Sequence, residues 1–434
     1  MLLRNIFERN IDTEEAVETT FDVVAADRTG VRFGTIRMWR SITGKCNEFA
    51  TVGIRLELSD FKYGGMRMAE RNSHKSTTGP NIGPIPLNRR TLLGGAAVAA
   101  LGAAGIGGFL FAEDRIGPWR LTARGIVDRL QDTAGGSFPG WRRNHAKGVA
   151  VAGYFDSNGN GAELSKASAF RSGRYRLAGR FSLAGGNPHV PDTPTAPRGL
   201  GLQLFLPDGE QWRMAMLNIP VFLDATAQDF YDRTLAFAVD PATGKPDPAV
   251  MKDYIASHPK TAAALAVIGQ GAPAPTFATS TFFSLNAFRF TDGDGRTVPV
   301  RWRLEPENPP PATGPANGDN ALFDGLVTDL RATPLRWRLM VVVGEAGVDP
   351  TDDATRMWPN DRRTVHVGTV VLDRIETESA DNVRDVNFDP LVLPNGIEAS
   401  DDPLLQARSA VYGESFRRRA GETKPVGAVV VKEA

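Results

Sequence analysis

The sequence predicts an α+β fold, an antiparallel β-barrel with inserted and C-terminal helices, preceded by an N-terminal apolar segment. Three observations predict it. Apolar and polar residues alternate with period two from about Gly140 to Pro306 and again from Leu335 to Ile375, as half-buried strands do. Turn residues interrupt that alternation at hairpin spacing, as in GLGLQLFL (199–206), Pro207-Asp208-Gly209 and QWRMAML (211–217). Helical signals occupy two inserted blocks and a capped stretch near the C-terminus. Many antiparallel strands with no long crossover favour closure into a barrel.

The chain has 434 residues, of which 41% are hydrophobic and 23% charged, so it is neither disordered nor a membrane bundle. Residues 1–87 read as a flexible lead, because RNSHKSTTGPNIGPIPLNRR (71–90) has the Pro, Gly, Ser and Asn content of unpacked chain. A start of translation at Met66 or Met68 is the favoured explanation of that lead, and a cytoplasmic extension is the other. Residues 88–112 read as a twin-arginine-like signal or membrane anchor. Arg89 and Arg90 precede an uncharged, Gly/Ala-rich run from Leu92 to Ala112, close to the roughly 20 residues that cross a bilayer. Leu110-Phe111-Ala112 is a poor small–x–small cleavage site, which leaves an uncleaved anchor open. Arg67, Arg71, Lys75, Arg89 and Arg90 would keep the N-terminus inside, so the expected location is the periplasm or its membrane face. The alternative is a buried helix of the globular domain in a cytoplasmic protein.

Residues 113–434 form the globular domain. Its strands include the hairpin above, then FSLNAFRF (283–290) and VPVRWRL (298–304) about Asp292-Gly293-Asp294-Gly295, and finally RWRLMVVVG (336–344) and VHVGTVVLDRI (365–375). Helical blocks cover 227–239 and 248–269, the second broken at Pro259. Residues 305–320 are Pro/Gly/Asn-rich loop. In the last helix Asp402 caps, Pro403 takes the first position, and the run continues to Ala420-Gly421.

The 50 Lys+Arg and 50 Asp+Glu balance to a formal charge of zero, so no nucleic-acid partner is expected. A single cysteine, Cys46, excludes an internal disulfide, a four-thiolate zinc site and a two-cysteine haem attachment. Only five histidines and six tyrosines are available for chemistry that needs them. Arg408 and Tyr412 stand at i and i+4 in the last helix, where a guanidinium on the same face favours the ionised phenol. A phenolate suits ferric iron and is one of the known proximal haem ligands. Taken alone, such a pair is usually a solvated surface contact.

Its companions occur in one order: Gly140-Trp141-Arg142-Arg143-Asn144-His145-Ala146-Lys147-Gly148 opens the barrel, Gly179-Arg180-Phe181-Ser182 begins a strand, and Ala196-Pro197-Arg198-Gly199-Leu200 precedes the first hairpin. Then follow Leu217-Asn218-Ile219-Pro220-Val221-Phe222, Met357-Trp358-Pro359, Val370–Leu372, Asn387-Phe388-Asp389-Pro390, Gly396-Ile397-Glu398-Ala399-Ser400 and Arg408 to Tyr412. From about Pro118 to Gly421 this series resembles the haem catalase superfamily, and within it the shorter catalase-related peroxidases. The resemblance implies a catalase-like barrel core and haem b iron as cofactor. It makes His145 the distal catalytic histidine, Asn218 the distal asparagine, Ser182 the hydrogen-bond partner of the histidine and Tyr412 the iron ligand. Arg408 would pair with Tyr412, while Arg142, Arg180 and Arg419 would hold the haem propionates, a task that suits a forked guanidinium.

The implied activity is a haem peroxidase that reduces hydrogen peroxide or organic hydroperoxides with a small organic electron donor, with weak catalase activity. A true catalase and a non-catalytic haem-binding protein are the alternatives. Asn144 and Phe416 depart from the full-length pattern, which has a small apolar residue and often a histidine at those places. The chain ends 22 residues after Tyr412, without the helical domain of full-length catalases, so no NADPH and a looser or absent oligomer are expected. His189, His258 and His366 match no functional motif and are expected to be structural or at the surface.

Overall fold

The computed structural model describes residues 121–434, apart from 208, 241–242, 312–317 and 433–434, together with the backbone of three earlier strands. Those strands are β1 (Ala16–Asp27), β2 (Gly30–Ser41) and β3 (Thr51–Leu58). They form an antiparallel meander, with Phe21 opposite Ile36 and Ile36 opposite Leu56. The expected lead of residues 1–87 therefore contains a sheet. The polar composition that predicts unpacked chain is confined to 71–90, whereas AVETTFDVVAAD upstream is rich in the β-branched residues of a strand. Residues 71–90, the Arg89-Arg90 pair and the Leu92–Ala112 run lie outside the described residues. Residues 1–86 and 87–434 are two separate compact units.

In the second unit the chain runs α1 (Ala123–Thr133), β4 (Gly148–Ser157), β5 (Gly173–Leu183), β6 (Arg198–Phe205) and β7 (Gln211–Leu217). Next come α2 (Ala227–Ala236), the short β8 (Val239–Asp240) and β9 (Lys245–Pro246), α3 (Pro248–Ser257) and α4 (Pro259–Gly269). The remainder is β10 (Phe282–Phe283), β11 (Phe288–Thr291), β12 (Thr297–Pro306), α5 (Ala321–Ala332), β13 (Leu335–Val343), β14 (Thr364–Glu376), β15 (Ile397–Ala399) and α6 (Pro403–Ala420). Among the described residues no helix is long and apolar enough to cross a membrane.

The strands pair antiparallel in the order β10-β7-β6-β5-β4-β14-β13-β12-β11-β15, and β10 also pairs with β12. That second pairing closes an eight-strand barrel, from which β11 and β15 continue as a short extension beside β12. Closure rests on Phe282 opposite Leu304 and Phe283 opposite Leu217. The inward face is aromatic: Trp212 meets Trp302 edge-on at 5.2 Å, and Phe181 packs on Phe277 at 5.1 Å. Fully burying each such side chain contributes about 1.5–3 kcal/mol.

Several elements differ from the sequence reading. The expected strand 283–290 is broken into β10 and β11, because Leu285 adopts a left-handed backbone (φ 67°) and the amide of Asn286 turns inward to bond other side chains. The strand bearing Ser182 begins at Gly173, so Ser182 sits near its end. The block 227–239 stops being helical after Ala236, and α1 and α5 were not anticipated. Pro259 does separate two helices, as the first residue of α4, and Asp402 caps α6 by accepting from Leu404 N at 2.8 Å.

Candidate active site

One cavity lies between the barrel wall and α6. It encloses about 1130 Å³, solvent at its mouth included, within reach of a large cofactor. His145, Arg142, Arg180 and Ser182 line it from the barrel side, and Arg408, Tyr412 and Arg419 from α6. The two sets lie far apart in the sequence, and the docking of α6 brings them together. Asn218 is not among the lining residues. Its Oδ1 accepts from Arg198 N at 2.7 Å, which leaves the amide nitrogen as its donor.

His145 sits in the loop before β4 with φ 58°, and Asn144 supports that conformation, its Oδ1 accepting from His145 N at 3.0 Å and Gly185 N at 2.9 Å. The apolar-to-Asn144 departure is thus a loop clip. Ser182 Oγ lies 3.2 Å from His145 Nδ1, which leaves Nε2 as the ring atom able to exchange a proton with a substrate. Burial, followed by the positive fields of Arg180, Arg408 and Arg142, pushes the imidazole pKa down to about 3, so it is neutral at working pH.

Three glycines make room for these groups. A Cβ on Gly199 would stand 2.7 Å from Ser182 Oγ and 3.1 Å from His145 Nδ1, and one on Gly201 would stand 2.8 Å from the Phe388 ring. A Cβ on Gly148 would collide with the Arg180 guanidinium.

On the helix side, Tyr412 and Arg408 share a cavity wall as their spacing predicts, yet no hydrogen bond joins them. Arg408 instead donates to Asn286 Oδ1 and, at 3.0 Å, to Ala215 O. Asn286 is fully buried, and its Nδ2 donates to Asp402 Oδ2 at 2.6 Å, linking the broken strand to the α6 cap. The Tyr412 hydroxyl has no hydrogen-bond partner among the described residues and borders the cavity, which leaves its oxygen available to a ligand.

Arg142, Arg180 and Arg419 cluster at one end. Arg142 Nη2 donates to Val383 O at 3.0 Å, and Arg419 Nη1 to Arg384 O at 2.6 Å. Burial, then Arg180 and Arg419, hold the Arg142 pKa well below its ordinary value, and burial lowers that of Arg419 to about 10. Around them Arg180 pairs with Glu378 and Arg384 with Asp385. Positive groups thus outnumber the carboxylates at this end of the cavity, which suits a ligand that brings carboxylates of its own.

Sequence reasoning missed Glu378 and Asn286. Glu378 lies in the surface-like run ETESADN, and Asn286 is a lone amide in an apolar strand pattern, the one local signal available. Among the described residues the remaining histidines stand outside the cavity: His258 stacks on Tyr254 at 3.8 Å, and His366 Nε2 lies 3.0 Å from Gly368 O. Edge contacts with Phe138 and Trp141 hold the ring of His189.

The neutral imidazole gives a testable pH signature. An unfolded histidine protonates near pH 6.5, whereas His145 in the fold protonates near 3. Between those values the unfolded chain takes up a proton that the native state refuses, so stability falls as pH drops through the window and is unaffected above it. The apo-protein melting temperature should therefore fall less from pH 6.5 to 4.5 in His145→Gln than in wild type. Parallel curves would mean an ordinary, solvated histidine.

The family model for Catalase matches residues 114–315 and 337–425. The chain is 36% identical over 326 residues to a catalase-related peroxidase of Synechococcus elongatus, covering 74% of this chain and 93% of that one. It is 30% identical to a catalase-related peroxidase of Mycolicibacterium paratuberculosis, covering 69% of this chain and 96% of that one. A solved bacterial catalase superimposes with a TM-score of 0.58 at 21% identity, over 71% of this chain and 64% of its own length, which shows a shared fold.

Proposed function

Since the chain belongs to the catalase family, we propose that it is a haem b peroxidase that reduces hydrogen peroxide or organic hydroperoxides with a small organic donor and disproportionates peroxide weakly. One observation carries this reading: a neutral, Ser182-bonded imidazole and an unpartnered phenol oxygen line the same cavity, beside a cluster of arginines with positive charge in excess. These residues fit a haem. Tyr412 would ligate its iron, and Arg142 and Arg419, with Arg180, would receive its propionates. When bound, the haem supplies an iron that takes the peroxide oxygen and the electrons that O–O cleavage requires.

The chain's own groups manage the protons. His145 Nε2 takes a proton from the near oxygen of the peroxide and returns it to the far oxygen, which leaves as water. Ser182 holds the ring in one tautomer while this happens. The Asn218 amide, oriented by Arg198 N just behind the cavity wall, would have to turn toward the cavity to offer an N–H to the far oxygen. Arg408, braced by Asn286, keeps a fixed positive charge on the wall that carries the phenol. The visible spectrum of the purified protein, before and after one equivalent of peroxide, tests the haem assignment. Faster oxidation of a phenolic dye than donor-free oxygen evolution supports a peroxidase, and the reverse makes it a catalase.

We also propose export by the twin-arginine route, motivated by Arg89 and Arg90 before the uncharged Leu92–Ala112 run. That route carries folded cargo, which suits a protein loaded with cofactor before it crosses. Arg89→Lys with Arg90→Lys should leave the protein in the cytoplasmic fraction. Equal export of a reporter fused after Glu113 by both forms would exclude the route.

A further inference from the structure

We propose that Glu378 is a positioning residue for the histidine side of the site, locking the Arg180 guanidinium as a clamp on the backbone that carries His145. The proposal rests on the peroxidase reading for its link to turnover, and on geometry alone for the clamp. Glu378 grips Arg180 with both oxygens, Nε to Oε1 at 2.8 Å and Nη2 to Oε2 at 2.9 Å, with each side chain only 4% exposed. The same guanidinium reaches the loop before β4, donating from Nη1 to His145 O at 2.7 Å and from Nη2 to Ala146 O at 2.9 Å. A guanidinium has five N–H donors, so four are engaged and one is left for an incoming carboxylate. Arg180 is thereby chiefly a clamp, whereas Arg142 bonds protein through Nη2 alone.

The clamp answers a local need. At φ 58° His145 holds a left-handed backbone, uncommon for any residue but glycine even though histidine adopts it more often than most. Asn144 pins the residue by its N–H and Arg180 by its carbonyl, so both peptide groups flanking the ring are fixed. Without Glu378, Arg180 would stand beside Arg142 and Arg419 with no paired carboxylate, drawn toward any anion entering the cavity and away from the His145 carbonyl. Glu378 is itself held after β14 by the chain's last residues. Val431 N donates to Thr377 Oγ1 at 2.8 Å, and Gly427 packs so closely that a Cβ there would lie 3.1 Å from Glu378 N.

The test compares full-length wild type with Glu378→Gln, Glu378→Asp and Arg180→Lys, each as apo-protein and after haem reconstitution. In the apo-proteins, ¹⁵N NMR of the His145 ring reports its tautomer and its bond to Ser182. We expect Glu378→Gln and Arg180→Lys to shift or broaden the His145 signals, and Glu378→Asp to restore them in part. After reconstitution, Glu378→Gln should still retain haem, yet lower kcat for peroxide by about 10- to 10²-fold, the cost of a catalytic group misplaced by up to an ångström. Unchanged His145 signals together with unchanged kcat, in a variant whose melting temperature alone falls, would overturn the proposal. Should Glu378→Gln not fold, the Arg180→Lys and Glu378→Asp pair decides by the same signals. A wild-type protein that binds no haem would refute the peroxidase reading while the apo-protein signals still judge the clamp.

Discussion

Tyr412→Phe is expected to yield a folded protein that no longer retains haem. The substitution removes one oxygen, the only group by which this side chain could ligate iron, and keeps the ring that packs beside Ala150, Val383 and Phe388. That oxygen has no hydrogen bond among the described residues, so its loss costs the apo-fold little. Loss of an iron ligand worth even about 1.4 kcal/mol lowers affinity tenfold, and an anionic ligand to ferric iron exceeds that. Haem content after purification should fall below roughly a tenth of wild type, with the apo melting temperature unchanged. A mutant that holds haem with an unaltered spectrum would remove Tyr412 from the ligand role.

The second large effect is expected at the other wall. His145→Ala should keep haem and lose about 10²–10⁴-fold in the rate of reaction with peroxide, the usual worth of a positioned acid–base group. The ring contributes no bond to the arginine cluster or to Tyr412, so cofactor retention and reactivity should separate cleanly. Stopped-flow mixing with peroxide measures this directly. Wild-type rates in the mutant would move the proton-transfer role to another residue.

Local signals made much of this molecule readable. Alternation and a turn placed the hairpin of β6 and β7, and Asp402 and Pro403 marked the start of α6, because caps and pleats act over a few residues. Seven of the eight expected site residues line one cavity, although they come from motifs scattered along the chain. What escaped depends on distant partners. The kink at Leu285 is stabilised by Asn286 bonding to α6, more than a hundred residues later, so its own neighbourhood reads as plain strand. Arg408 and Tyr412 have the spacing of a pair, but Asn286 and the Ala215 carbonyl compete for the guanidinium. Glu378 looks like a surface acid until folding buries it against Arg180.

Gly148, Gly199 and Gly201 carry a lesson about where information on a site is stored. Each lies on a strand beside a functional side chain and is defined by what it lacks: the volume of one methyl group is already taken by Arg180, by His145 and Ser182, or by Phe388. The chemistry of this pocket is therefore written twice, once in the polar residues and once as a negative imprint on the neighbouring chain. A survey that altered only the polar set would find half of the inscription. Anyone grafting the pocket onto another barrel would have to transplant these absences along with the residues they accommodate.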